Sequence, residues 1–163
     1  MDYNLLQRIN DYEELEIFLI SLNKYLEDLY EYSLKEKKNL KSQDIVSTLN
    51  PTLKVIIESL YGDVLTDEGK MKEVQMKFLD LKNSIKIVTL VFNIEVDSEF
   101  KLKLKDFFLK KISKDVLLKY KINSDIGGGI IIQTDKSYFD FSFDSILRDK
   151  RDNIVDIINN AKV

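Results

Sequence analysis

Asp140 and Asp144 stand four residues apart, after the alternating run Tyr138-Phe139-Asp140-Phe141. Two carboxylates near a strand end are one way to build general acid–base chemistry. The competing use is helix capping. Ser142 or Asp144 falls where a last helix begins, and a side-chain oxygen there accepts from backbone N–H groups that have no partner inside the helix. Capping is the stronger reading. Arg148 and Arg151 follow on the same helix, and pairing with acids such as Asp144 at four-residue spacing accounts for them. The second place where chemistry is conceivable is Gly127-Gly128-Gly129, which holds three of the five glycines. A phosphate cradle needs a helix after the glycines, so that backbone N–H groups and the helix N-terminus meet the anion. Here Ile130-Ile131-Ile132 follows, and no Gly-Lys-Ser or Gly-Lys-Thr occurs. A turn requiring positive φ, or a bulge where backbones approach closely, explains the run instead. Ile126, Gly127, Gly128 and Gly129 are therefore read as a structural turn, with no nucleotide, cofactor or metal site.

Composition narrows the chemistry further. The 163 residues include no Cys and no His. Disulfide frameworks, zinc fingers, Cys or His nucleophile systems and imidazole acid–base catalysis are all excluded. Hydrophobic residues at 44% and charged residues at 33% indicate a globular chain with a charge-rich surface, large enough for one domain or two small ones. The net charge of −3 argues against nucleic-acid binding. Lys outnumbers Arg 22 to 3, leaving few guanidinium forks to read phosphates or bases. Residues 1–84 carry 11 basic and 16 acidic side chains, whereas residues 85–163 carry 14 and 12. That asymmetry fits two modules with different surfaces. No apolar run reaches the roughly 18 residues of a membrane span. The N-terminal MDYNLLQRINDYEE is acidic from its second residue, without signal-peptide architecture, so a cytoplasmic location is expected.

The elements that position these residues follow two periods. Leu15, Phe18, Leu19, Leu22, Tyr25, Leu26, Leu29 and Tyr30 recur at three- and four-residue spacing, which predicts a long helix with one apolar stripe. Asp11 and Glu14 form a capping pair at its start, and the helix is expected to end near residue 38. The heptad Leu15, Leu22, Leu29 is too short for a coiled coil, so ordinary bundle packing is expected. Asn50-Pro51 predicts a helix start, with Leu53, Val55, Ile56, Ile57, Leu60 and Tyr61 on the helix and Gly62 ending it. Thr66 or Asp67 caps a further helix to about Lys82, with Met71, Val74, Phe78 and Leu81 on one face.

At Ser84 the period changes. Residues 85–96 read as a strand, being β-branched and partly alternating. Asp97-Ser98 caps a helix expected to bury Phe100, Leu104, Phe107, Phe108 and Ile112. Val116 to Ile122 makes a second strand, Ile130 to Ile132 a third and Tyr138 to Phe141 a fourth, with Asp135-Lys136-Ser137 as the turn between the last two. Phe143, Leu147, Ile154, Val155 and Ile158 predict a closing helix. The fold class is therefore α+β: a helical domain over residues 1–84, then a strand-helix-strand-hairpin-helix module over residues 85–163.

This second half resembles the C-terminal region of the δ subunit of F-type ATP synthases, whose mitochondrial counterpart is the oligomycin-sensitivity-conferring protein. Ile126-Gly127-Gly128 matches that family's Ile-Gly-Gly turn, and Asp140-Phe141-Ser142 matches its Asp-x-Ser element. Ile146-Leu147-Arg148 falls where the family's last helix continues. The resemblance covers residues 85–158. It departs at Thr89-Leu90-Val91-Phe92, where small residues are usual. The first half lacks the family's opening Tyr-Ala-x-Ala-Leu-like helix and is too short for its six-helix domain, so that half reads as reduced or rebuilt.

The resemblance implies a non-catalytic connecting subunit of a rotary ATPase, needing no cofactor and held at the membrane face of a larger complex. It implies that residues 1–84 grip N-terminal segments of an α-like subunit, and that residues 85–163 meet a peripheral-stalk or adaptor helix. Because a helix-in-groove contact needs an apolar stripe, Leu15, Phe18, Leu22 and Leu29 are the candidate docking residues, although for each one taken singly plain core is the favoured reading. A δ-like subunit of a specialised motor not used for ATP synthesis would share these features. A V-type peripheral-stalk E subunit also carries a Gly-Gly strand, but its longer unbroken N-terminal helix conflicts with Pro51 and Gly62. An unrelated cytoplasmic binding module stays open as the other class of function, and an enzyme as a more distant one.

Overall fold

The computed structural model describes residues 2–35, 45–151 and 155. The chain divides between Ile85 and Lys86 into two compact units.

The first unit is helical. Helix α1 (Tyr3–Arg8) starts on Asp2, whose carboxylate accepts from the Leu5 N–H at 3.1 Å. Sequence reasoning missed it, because six residues are too few to show a helical period. Helix α2 (Tyr12–Lys35) begins on the expected pair: Asp11 accepts from the Glu14 N–H at 2.9 Å, and Glu14 reaches back to the Asn10 N–H. Its expected stripe is buried except for Tyr30, which is exposed. The expected end of this helix near residue 38 lies outside the described residues. Helix α3 (Pro51–Tyr61) is capped by the Asn50 side chain, carries Pro at its first position and stops at Gly62, with φ 75°. Leu53, Ile56 and Ile57 are buried, whereas Val55 faces outward. Helix α4 (Glu68–Ser84) is capped by Asp67 rather than Thr66, and Met71, Val74, Phe78 and Leu81 are buried as their spacing predicts. The α2 stripe packs on α4, with Phe18 and Phe78 meeting edge to face at 6.4 Å between centroids. The buried Tyr25 hydroxyl donates to the Leu65 carbonyl oxygen at 2.7 Å and is thereby satisfied.

The second unit is a four-stranded mixed sheet in the order β2-β1-β3-β4. Strand β1 (Lys86–Phe92) pairs parallel with β2 (Val116–Ile122) and antiparallel with β3 (Gly129–Gln133), which pairs antiparallel with β4 (Tyr138–Ser142). Strand β1 stops four residues short of the expected end at Val96. The β-branched composition runs on, but the ladder with β2 ends at the pair Phe92 and Ile122. Helix α5 (Ser98–Lys111) is capped by Asp97, and α6 (Phe143–Asp149) by Ser142, whose hydroxyl accepts from the Ser145 N–H. The buried face expected for α5 is corrected. Phe108 is buried and Leu104 partly so, while Phe100, Phe107 and Ile112 are exposed. Phe100 and Phe107 lie on one row of the helix and Leu104 and Phe108 on the next, and a flat sheet covers only one of them. Phe143, Leu147 and Val155 of the expected closing helix are exposed, and Ile154 and Ile158 lie outside the described residues.

Candidate docking surfaces

Leu15, Phe18, Leu22 and Leu29, the residues expected to present a groove, are interior side chains of the first unit. Each is the plain core favoured for it singly, and the reason is physical: a single stripe on α2 is used against α4, and a side chain already in van der Waals contact there offers no surface to a second protein. The outward apolar residues of that unit are others, among them Ile17 and Ile20 on α2, Leu34 near its end, Val55 on α3 and Met76 on α4. Scattered exposed apolar residues are common, but Ile17 and Ile20 lie one turn apart on the same helix. Sequence reasoning passed over them because they fall off the dominant stripe.

Around the glycine turn the side chains do structural work. The backbone has φ 117° at Gly128 and 88° at Gly129, the left-handed region glycine tolerates. A Cβ at Gly129 would stand 2.3 Å from the Phe141 carbonyl oxygen, and one at Gly128 would meet the Phe143 ring at 2.8 Å. The Gly127 N–H donates to Asp144 at 3.0 Å, and the Phe143 N–H donates to the Gly128 carbonyl at 3.0 Å. The turn is thereby tied to the first residues of α6, so backbone N–H of Gly127 already has its acceptor.

Asp140 has a separate task. Its carboxylate accepts from the Ser142 N–H at 2.9 Å, and the Ser142 hydroxyl, then the same backbone N–H and finally the Arg148 charge hold it below the usual carboxylate range. A carboxyl stabilised as an anion is a poor general acid. Asp140 and Asp144 are thus engaged with different backbone N–H groups, not with each other. Arg148 donates from Nε to the Asp144 carbonyl oxygen at 3.4 Å rather than to its carboxylate. Among the described residues there is no group of three His, Cys, Asp or Glu that could hold a metal ion, and no helix long and apolar enough to cross a membrane.

The sharpest exposed apolar feature is on the sheet. Phe139 and Phe141 project from the same face of β4 with rings stacked at 6.4 Å and 10° between planes, each about half exposed. The family model described as ATP synthase delta (OSCP) subunit matches residues 33–154, most of the chain, and the chain belongs to that family. The family is that of the non-catalytic stator subunit of ATP synthase. The match begins within α2, well before residue 85, so α3 and α4 are part of the likeness along with the sheet. No curated protein matches the chain.

Proposed function

We propose that this chain is the connecting subunit of an F-type or F-type-like rotary ATPase, holding the catalytic α/β head to a peripheral stalk so that the head does not turn with the rotor. The family match over residues 33–154 carries the reading. The helical unit grips N-terminal segments of an α-like subunit, and the sheet unit meets a stalk or adaptor helix. The protein works in the cytoplasm, at the membrane face of the complex, and inserts nothing into the bilayer. The exposed apolar residues on both units support this, since a connector needs two independent docking surfaces. Mild affinity purification of the tagged protein from its own cells, with partners identified by mass spectrometry, is the test. Recovery of α- and β-like ATPase subunits is expected. Recovery of the protein alone, under conditions that keep a control ATPase intact, would overturn the reading. A missing or unusual stalk partner would point to a specialised motor not used for ATP synthesis.

A further inference from the structure

With no Cys in the chain, its least durable side chains include asparagine, whose carboxamide carbon is open to attack by the backbone nitrogen of the next residue. Attack needs a side chain folded over the following peptide, an N–H there with no acceptor, and a small residue carrying it. Most of the described asparagines fail one of these. Asn4, Asn23 and Asn83 lie in helices, where the next N–H already has its acceptor. Asn50 precedes Pro51, which has no N–H, and Asn93 precedes the β-branched Ile94. Asn10 precedes Asp11, whose charge opposes the loss of a neighbouring amide proton.

Asn123 meets all three conditions. It follows β2, and its own N–H donates to the Phe92 carbonyl at 2.8 Å, which fixes its backbone to the end of β1. Its Oδ1 accepts from the Asp125 N–H at 3.0 Å, an arrangement that folds the carboxamide back over the peptide leading to Ser124. The same bond draws electron density from Cγ and makes it the better electrophile. Asn123, Ser124 and Asp125 are all exposed, and among the described residues the Ser124 N–H has no hydrogen-bond acceptor. The dipeptide Asn-Ser also occurs at Asn83-Ser84, inside α4. Two identical dipeptides are thus placed by the fold in opposite situations.

We propose that Asn123 is a spontaneous modification site, at which the folded protein ages to aspartate and isoaspartate while Asn83 is spared. Solvent base takes the Ser124 amide proton, the nitrogen bonds to Asn123 Cγ, and the Cγ–Nδ2 bond breaks as ammonia leaves with a proton from water. The resulting five-membered imide takes up one water. Opening at Cγ gives aspartate, and opening at the backbone carbonyl carbon gives isoaspartate, with the main chain rerouted through Cβ and Cγ. Aspartate keeps an oxygen for the Asp125 N–H. Isoaspartate lengthens the main chain by one carbon and takes off it the Asn123 carbonyl, which accepts from the Ile126 N–H at 3.4 Å. Ile126 is buried with Val91 and Ile131 just ahead of the glycine turn, so isoaspartate loosens that plug where aspartate does not.

The test is to age the full chain, folded and in urea, at neutral and at mildly alkaline pH. Digestion and mass spectrometry then quantify the Asn123 and Asn83 peptides, and enzymatic methyl transfer reads isoaspartate. In the folded chain Asn123 should convert about tenfold or more faster than Asn83, and faster at the higher pH. In urea the two rates should approach one another, because the neighbouring residue is the same. Ser124→Val crowds the nitrogen on an exposed residue and should slow the conversion of Asn123. Hydrogen exchange at Ile126 and the glycine turn should rise in the isoaspartate fraction but not in Asn123→Asp. Equal rates at the two asparagines in the folded chain, or conversion of Asn123 in urea alone, would overturn the site. Unchanged exchange at Ile126 in the isoaspartate fraction would overturn the loosening of the plug.

Discussion

The Gly127 N–H and the Asp144 carboxylate, 17 residues apart in sequence, are joined by a hydrogen bond of 3.0 Å that fastens the glycine turn to the start of α6. A charged acceptor on a backbone N–H is stronger than a neutral one, but this one is exposed and water competes for it. Asp144→Ala is expected to lower the stability of the second unit by about 1 kcal/mol, and urea unfolding followed by tryptophan-free far-ultraviolet dichroism would read it. A loss too small to measure would mean that water replaces the carboxylate fully.

The neighbouring glycines should respond very differently from Gly62. At Gly129 a methyl group meets the Phe141 carbonyl at 2.3 Å on top of a φ of 88°, so Gly129→Ala combines backbone strain with a clash against main chain that cannot rotate away. A cost of about 2–4 kcal/mol is expected. Gly62 also has positive φ, but nothing lies within 4 Å of its notional Cβ, so Gly62→Ala carries the strain alone. Comparable melting-temperature losses for the two variants would contradict this account.

Phe18 and Ile20 are two positions apart, yet one is core and the other is surface. Phe18→Ala removes a ring in edge contact with Phe78 and should cost about 3–5 kcal/mol through the cavity left behind. Ile20→Asp should leave stability within about 0.5 kcal/mol of the wild type. If Phe18→Ala unfolded the chain no more easily than Ile20→Asp, the burial of the α2 stripe would be wrong.

That pair also marks how far the sequence could be read. Where a side chain does a local job, the pattern places it to within a neighbour or two: Asp11, Asn50, Asp67, Asp97 and Ser142 accept from backbone N–H groups at helix starts, and only the structure chooses Asp67 over Thr66 and Ser142 over Asp144 as caps. Whether the α2 stripe docks a partner is not legible in sequence, because an apolar stripe at helical spacing looks the same whether it faces a sibling helix or a foreign one. Only tertiary packing shows that the partner of Leu15, Phe18, Leu22 and Leu29 is inside the molecule. The α5 aromatics failed for a related reason, since two adjacent rows were both apolar and sequence alone ranks neither. The exposed pair Phe139 and Phe141 could have been flagged by alternation, which puts both on one face. What alternation omits is how burial fades across that face: Ile130 and Ile132 of β3 are partly buried against the Phe108 cluster, while Phe139 and Phe141 of β4 are exposed.

Tyr25 offers a test of buried hydrogen bonding. Its hydroxyl is enclosed with the Leu65 carbonyl as its acceptor, and burial pushes the phenol pKa up. Tyr25→Phe leaves that carbonyl without its donor, and a loss of about 1–2 kcal/mol in the first unit is expected. A neutral result in denaturant titration would mean that water enters beside Leu65.

The two ends of the pH scale should act through different groups. Asp140 is held low by the Ser142 hydroxyl and backbone N–H and then by Arg148, and Asp67 is held low chiefly by the Lys70 backbone N–H. A depressed carboxyl contributes stability above its unfolded value of 3.8, and that contribution is lost as pH falls through the lower folded value. Tyr61 acts in the opposite direction. Burial, then the charge of Asp2 and the 3.3 Å hydrogen bond to it, push its phenol from 10.0 up to about 12. The folded state therefore keeps a proton that the unfolded chain gives up, so stability is intact below pH 10 and falls as pH rises toward 12. Tyr61→Phe should flatten the part of the alkaline limb that this residue supplies, without altering the acid limb. Denaturant midpoints measured from pH 3 to pH 12 on both proteins decide it: an alkaline limb equally steep in the variant would show that Tyr61 is not its source.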